Sequence, residues 1–261
     1  MITNAGSARM EGLLAGKVAI ITGSGRGVGA ETAKRFASAG CKVVINYLQN
    51  ADAANDVVGQ ITALGGTAFA VQADVRDDVQ VGRMVATVRA RWAVPDILVL
   101  NADVGGFRPI PFLKLSVGDY LARTVDELAV AITPIKALLP EMAERGTGCI
   151  LAMSSALCRT PVSGFSILSV SKAALEGLVR ALAVELGPLG IRINIIEASM
   201  IEGENSGVIA EEQREWVRRA IPLGRVAHPS DIAQVMTLIA SDAAGFINGA
   251  TIPVNGGQVL Y

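Results

Sequence analysis

Thr22-Gly23-Ser24-Gly25-Arg26-Gly27-Val28-Gly29 stands between a short apolar run and a helical pattern. Glycines at such a place let the main chain approach a pyrophosphate. The helix start behind them offers free N–H groups and the positive end of a helix dipole. Turns of this kind also join strands to helices with no ligand at all. The strand–turn–helix setting is what makes this one a candidate phosphate cradle.

Outward from the turn, short apolar runs alternate with longer helical patterns. Strands are expected over 17–22, 42–47, 67–72, 96–100, 148–153, 191–196 and 250–254. Helices are expected over 28–39, 51–64, 77–92, 117–145, 168–186 and 229–240, with Pro134 bending the longest of them. Apolar strands without polar alternation belong to a parallel sheet covered on both sides. The pattern predicts an α/β fold, a doubly wound parallel sheet of the Rossmann type with helices on both faces. No linker or repeat divides the chain, so one domain is expected over 13–261, preceded by a loose arm over 1–12.

Composition narrows the function. Hydrophobic residues make up 51% and charged residues 18%, enough to bury a large core and too apolar for disorder. A net charge of −1 gives no footprint for nucleic acid or an acidic membrane surface. Cys41, Cys149 and Cys158 show no CxxC spacing, which predicts reduced thiols and a cytoplasmic protein. No secretory signal or membrane span is expected. No His/Cys/acid cluster has metal-ligand spacing, so no metal is expected. His228, the single histidine, precedes Pro229 at a helix start; a loop or capping role is expected there, and a Ser–His–acid triad is excluded.

The segment Phe165-Ser166-Ile167-Leu168-Ser169-Val170-Ser171-Lys172-Ala173-Ala174-Leu175 resembles the active-site helix of the short-chain dehydrogenase/reductase family, including its 3-oxoacyl-carrier-protein reductase type. The TGxxxGxG spacing of the turn resembles that family's fingerprint. So do Leu14-Ala15-Gly16-Lys17, Asp74-Val75, Gly224-Arg225 with Pro229-Ser230-Asp231-Ile232-Ala233, and Ser241-Asp242 with Asn248-Gly249 and Val254-Asn255-Gly256-Gly257. The resemblance covers roughly residues 13–258. It implies a nicotinamide dinucleotide held by Gly23, Ser24, Arg26, Gly27, Val28 and Gly29 at the phosphates. Asn46 and Tyr47 would lie at the adenosine ribose, Asp74 and Val75 at the adenine, and Asn101, Ala102 and Lys172 further along. NADP(H) is expected over NAD(H). The second strand ends Val44-Ile45-Asn46-Tyr47 with no acid for a ribose 2′-OH, and Arg26 can pair a 2′-phosphate bidentately. The alternative for Arg26 is a solvated loop charge.

At the reacting end the resemblance implies catalytic roles and also marks departures. Ser155, 13 residues before Leu168, takes the place of the serine that bonds the substrate carbonyl. Lys172 takes that of the lysine on the nicotinamide ribose. The family's proton-donating tyrosine, four residues before the lysine, is here Leu168, expected to line the pocket. Glu127 falls where the family usually has asparagine. Asp103 ends Leu100-Asn101-Ala102-Asp103, and Glu197-Ala198-Ser199-Met200-Ile201-Glu202-Gly203 puts Gly203 where a carboxamide-binding threonine is usual. Glu127, Asp103 and Glu197 are therefore expected near one ammonium, with Glu127 able to act as acid or base or as a structural partner of Lys172. Tyr120 is expected away from the site, and Tyr261 is a candidate to reach a neighbour's pocket. The helices 117–145 and 168–186 resemble those that pair across two-fold axes, which predicts a homotetramer or homodimer.

Three functions fit. One is an atypical NADP(H)-dependent oxidoreductase of a small-molecule carbonyl, enone or imine. A second is a non-redox enzyme such as a cyclase, isomerase or dehydratase. The third is a catalytically silent subunit or a ligand-sensing protein.

Overall fold

The computed structural model describes residues 12–104, 106, 108–203 and 211–260. The arm expected over 1–12 therefore lies, except for Gly12, outside the described residues, as does Tyr261. Strands β1 (Val18–Ile21), β2 (Lys42–Tyr47), β3 (Thr67–Gln72), β4 (Ile97–Leu100), β5 (Gly148–Ser155), β6 (Ile191–Ala198) and β7 (Thr251–Val254) form one sheet. Their order is β3-β2-β1-β4-β5-β6-β7 and every pairing is parallel.

Strand parity sorts the apolar side chains into two layers. Ala19, Ile21, Val43, Ile45, Ile97 and Val99 pack under helices α1 (Gly27–Ser38), α2 (Ala51–Ala63) and α7 (Pro229–Ala240). Val18, Ile20, Val44, Leu98 and Leu100 pack under α3 (Asp78–Arg91), α4 (Val117–Arg145) and α5 (Ser166–Leu186). Both layers are needed because each strand is apolar on both sides. The order of chain connections reverses between β1 and β4, so the loops leaving these two strands part and open a crevice above the sheet.

α4 remains one helix through Pro134 and Pro140. A Ser116–Asp119 capping box starts it and Gly146, at φ 65°, ends it in the left-handed region. β5 and β6 run two residues further than expected, because Ser154 pairs with Glu197 and Ser155 with Ala198. The sequence also concealed α6 (Glu211–Ala220), which has almost no apolar stripe. Glu211 and Glu212 sit in its first turn and Arg218 and Arg219 in its last, and Glu215 pairs with both Arg218 and Arg219.

Candidate functional site

A cleft of about 790 Å³ lies above the carboxyl ends of the strands. One end of it is the glycine turn, whose shape is fixed by neutral hydrogen bonds from the end of β2 and the loop after β4. Asn46 Oδ1 accepts from the Gly23 N–H at 3.1 Å, and Asn46 Nδ2 donates to the Ala73 carbonyl at 3.0 Å. Asn101 Nδ2 donates to the carbonyls of Thr22 and Gly23 at 3.0 and 3.1 Å. Thr22 Oγ1 accepts from the Asn101 and Ala102 amides, both at 2.9 Å.

This packing requires glycine. Gly23 has φ +61°, and a Cβ on Gly29 would stand 2.5 Å from Asn101 Nδ2 and 2.8 Å from the Gly23 carbonyl oxygen. Gly23, Gly25, Arg26, Gly27 and Val28 line the cleft. Arg26 is the N-cap of α1, and a guanidinium offers no acceptor to the first-turn N–H groups. A bare main-chain cradle at a helix start fits the pyrophosphate of a dinucleotide.

Ser24 and Gly29 brace this turn from beneath. Ser24 is fully buried, and its hydroxyl donates to the Ile21 carbonyl at 2.7 Å. Asn46, though at the cleft wall, spends its amide on the same bracing. Tyr47, Asp74, Val75, Asn101 and Ala102 line the cleft, joined by Leu48, Gln49 and Asn50, which sequence reasoning missed. The Arg76 guanidinium holds both oxygens of Asp74, at 3.0 and 2.8 Å, and keeps that carboxyl below the usual aspartate range.

The other end is charged. Lys172 Nζ donates to Glu127 Oε1 at 2.7 Å and to the Met153 carbonyl at 3.1 Å. An ammonium has three donors, so one remains for the cleft that Lys172 lines. Ser155 also lines it; its Oγ accepts from the Leu157 N–H at 3.3 Å. Glu127 is only 1% exposed and stands behind Lys172, off the cleft wall. Whatever Glu127 does to a ligand, it does through the lysine.

Three expectations need correction here. Leu168 is 3% exposed, and the wall passes from Phe165 to Lys172 without it. Asp103 lines the cleft but pairs with Arg123, whose Nη2 lies 2.8 Å away. Glu197 shares the strand face of Ile193 and Ile195, which turns it beneath α5. There it meets Arg159 Nε at 3.0 Å, and Arg159 also binds Glu176 at 3.2 Å. The three carboxylates therefore do not converge on one ammonium.

Tyr120 bonds Ser166 Oγ at 2.6 Å, off the cleft wall. His228 is the N-cap of α7, and its backbone N–H donates to Asp231 at 2.7 Å. Gly203 does line the cleft, as do Met200, Ile201 and Val217. Val217 belongs to α6 and left no signal in the sequence. Burial pushes the Cys158 thiol up to about 11, so it is no nucleophile at neutral pH. Among the described residues no acid, histidine and cysteine group is arranged to hold a metal, and no helix is long and apolar enough to cross a membrane.

Comparison with known proteins agrees with this geometry. A family profile described as enoyl-(acyl carrier protein) reductase matches residues 23–258. The 7alpha-hydroxysteroid dehydrogenase of Escherichia coli (strain K12) is 36% identical over 249 residues, covering 94% of this chain and 95% of that protein. The 3-oxoacyl-[acyl-carrier-protein] reductase FabG of Staphylococcus aureus is 32% identical over 244 residues, 94% of this chain and 98% of that one. A solved structure of a 7 alpha-hydroxysteroid dehydrogenase complexed with NADH and 7-oxo glycochenodeoxycholic acid superposes with a TM-score of 0.88 at 34% identity, over 100% of both chains. Strand order, glycine turn and end-to-end identity lead to one conclusion: the chain belongs to the short-chain dehydrogenase/reductase family.

Proposed function

We propose that the protein is an NADP(H)-dependent oxidoreductase of a small-molecule carbonyl, enone or imine, working without a tyrosine at position 168. One observation carries this reading: a single cleft joins a main-chain phosphate cradle to the Ser155–Lys172 pair. A nicotinamide dinucleotide, when bound, supplies or takes up a hydride. Gly23, Gly25 and Gly27 admit its pyrophosphate, and Arg26 pairs its 2′-phosphate. The third Lys172 N–H holds the nicotinamide ribose. Ser155 Oγ, accepting from Leu157, keeps its own proton to donate to a substrate oxygen.

Leu168 has no proton to give. A substrate that develops little charge on oxygen, such as an iminium or an activated enone, suits the site better than a plain ketone. The hydroxysteroid dehydrogenase of the same fold, complexed with NADH, supports a nicotinamide dinucleotide as the ligand. NADP(H) over NAD(H) rests on Arg26 and on the acid-free end of β2.

Calorimetry with both reduced cofactors tests the reading. NADPH is expected to bind more tightly than NADH, and Arg26→Ala to remove most of the preference. Equal affinities, or tighter NADH, would refute it. A non-redox reaction has one observation in its favour, the commitment of Lys172 to Glu127. Tight cofactor binding without turnover of any carbonyl, enone or imine would support it.

A homodimer or homotetramer is part of the proposal. Val117, Leu121 and Val125 form an exposed apolar stripe along α4. Light scattering at micromolar concentration should find no monomer.

A further inference from the structure

Two buried polar atoms behind the cleft have no hydrogen-bond partner among the described residues, Arg123 Nε and Glu127 Oε2. Both belong to a row of four alternating charges. Lys172 holds Glu127 Oε1 at 2.7 Å, and Arg123 Nη2 lies 3.6 Å from Glu127 Oε2 and 2.8 Å from Asp103 Oδ1. Lys172 and Asp103, the ends of the row, line the cleft; Glu127 and Arg123, its middle, do not. The Arg123 side chain is 10% exposed and that of Glu127 1%. Desolvated to this degree, each charge depends on its neighbours.

Asp103 is the exposed risk in this row. It follows Asn101 and Ala102, whose amides rest on Thr22 Oγ1, so the loop is rigidly joined to the glycine turn. Its carboxylate is thereby held at a cleft whose ligand carries several phosphates. Like charges in a partly dry cleft repel strongly unless one of them is neutralised. Arg123 is placed to do this.

We propose that Arg123 is a positioning residue of the dinucleotide site. It neutralises Asp103 ahead of a polyanionic cofactor and holds Glu127 against Lys172, with no cofactor contact of its own. The inference rests on the reading that this cleft takes NADP(H).

The test is fluorescence titration with NADPH of the wild type, Arg123→Met, Asp103→Asn and the double variant, each first shown folded by thermal melting. Arg123→Met should weaken NADPH by about tenfold or more, the order expected when one charge of a close pair is left uncompensated. Asp103→Asn should bind at least as tightly as the wild type. The double variant should regain most of the lost affinity, because the offending anion is gone. Arg123→Lys, keeping the charge, should stay close to wild type. If Arg123 matters only for packing, the double variant will bind no better than Arg123→Met, and the proposal is overturned. Should Arg123→Met fail to fold, Asp103→Asn decides alone: weaker NADPH binding overturns the proposal. Wild-type protein that binds neither NADPH nor NADH overturns both this proposal and the oxidoreductase reading. Wild-type binding with an unaffected Arg123→Met overturns this one only.

Discussion

At the glycine turn the cleft is shaped by neutral groups: the side chains of Thr22, Asn46 and Asn101 and the main chain they hold. At Lys172 it is shaped by ions, four in the row from Lys172 to Asp103 and a second set around Arg159, Glu176 and Glu197. The contrast follows from what each end receives. A phosphate cradle needs N–H groups left over for the ligand, so its bracing uses neutral amides that bring no competing anion. The reacting end must hold one ammonium at the cleft wall, and a buried ammonium needs a buried carboxylate. One consequence is unequal sensitivity. A neutral hydrogen bond contributes about 1 kcal/mol net, whereas half of a buried ion pair left alone costs several times that.

Breaking one group at each end tests the contrast. Glu127→Leu should destabilise the protein by about 3–5 kcal/mol, because Lys172 loses its buried partner. Asn46→Ala should cost only about 1–3 kcal/mol, for the unpartnered Gly23 N–H and Ala73 carbonyl. Adding Lys172→Met to Glu127→Leu should recover much of the loss. Urea unfolding of the four proteins measures all of this. Equal losses for Glu127→Leu and Asn46→Ala would mean that the two ends differ in composition but not in energetics.

The same contrast explains what could be read from the sequence. Strands show as unbroken β-branched runs, and the turn as glycines before a helix, because both signals are local. Asn46 and Asn101 were expected at the cofactor; both line the cleft, and their amides also brace the turn. Which way an amide points depends on loops 27 and 78 residues away. Glu197 was expected at Lys172. Two further residues of β6 pairing fix its parity and send it beneath α5, and strand ends are the least legible part of a strand. Arg123 went unnoticed because a lone arginine on a long helix ordinarily marks a solvated face. Its role emerges only where α4 passes the loop after β4.

The smallest expected effect concerns position 168. A tyrosine there would supply the hydroxyl that Leu168 lacks, and the family resemblance places Lys172 to assist it. Leu168 is nearly buried, and Lys172 is already committed to Glu127 and the Met153 carbonyl. The new ring must therefore turn toward the cleft, past Phe165 and Lys172, and the ammonium must be partly released. Leu168→Tyr should raise NADPH-dependent reduction of activated ketones by about tenfold, a fraction of what a positioned acid or base contributes. Adding Glu127→Asn should raise it further by loosening Lys172, in assays run well below that variant's lowered melting temperature. Adding Lys172→Ala instead should abolish the gain. If the wild type already reduces plain ketones efficiently, the missing proton donor is not the site's limitation. If Leu168→Tyr and its Glu127→Asn double both stay flat with NADPH bound, the reacting end has been rebuilt for other chemistry.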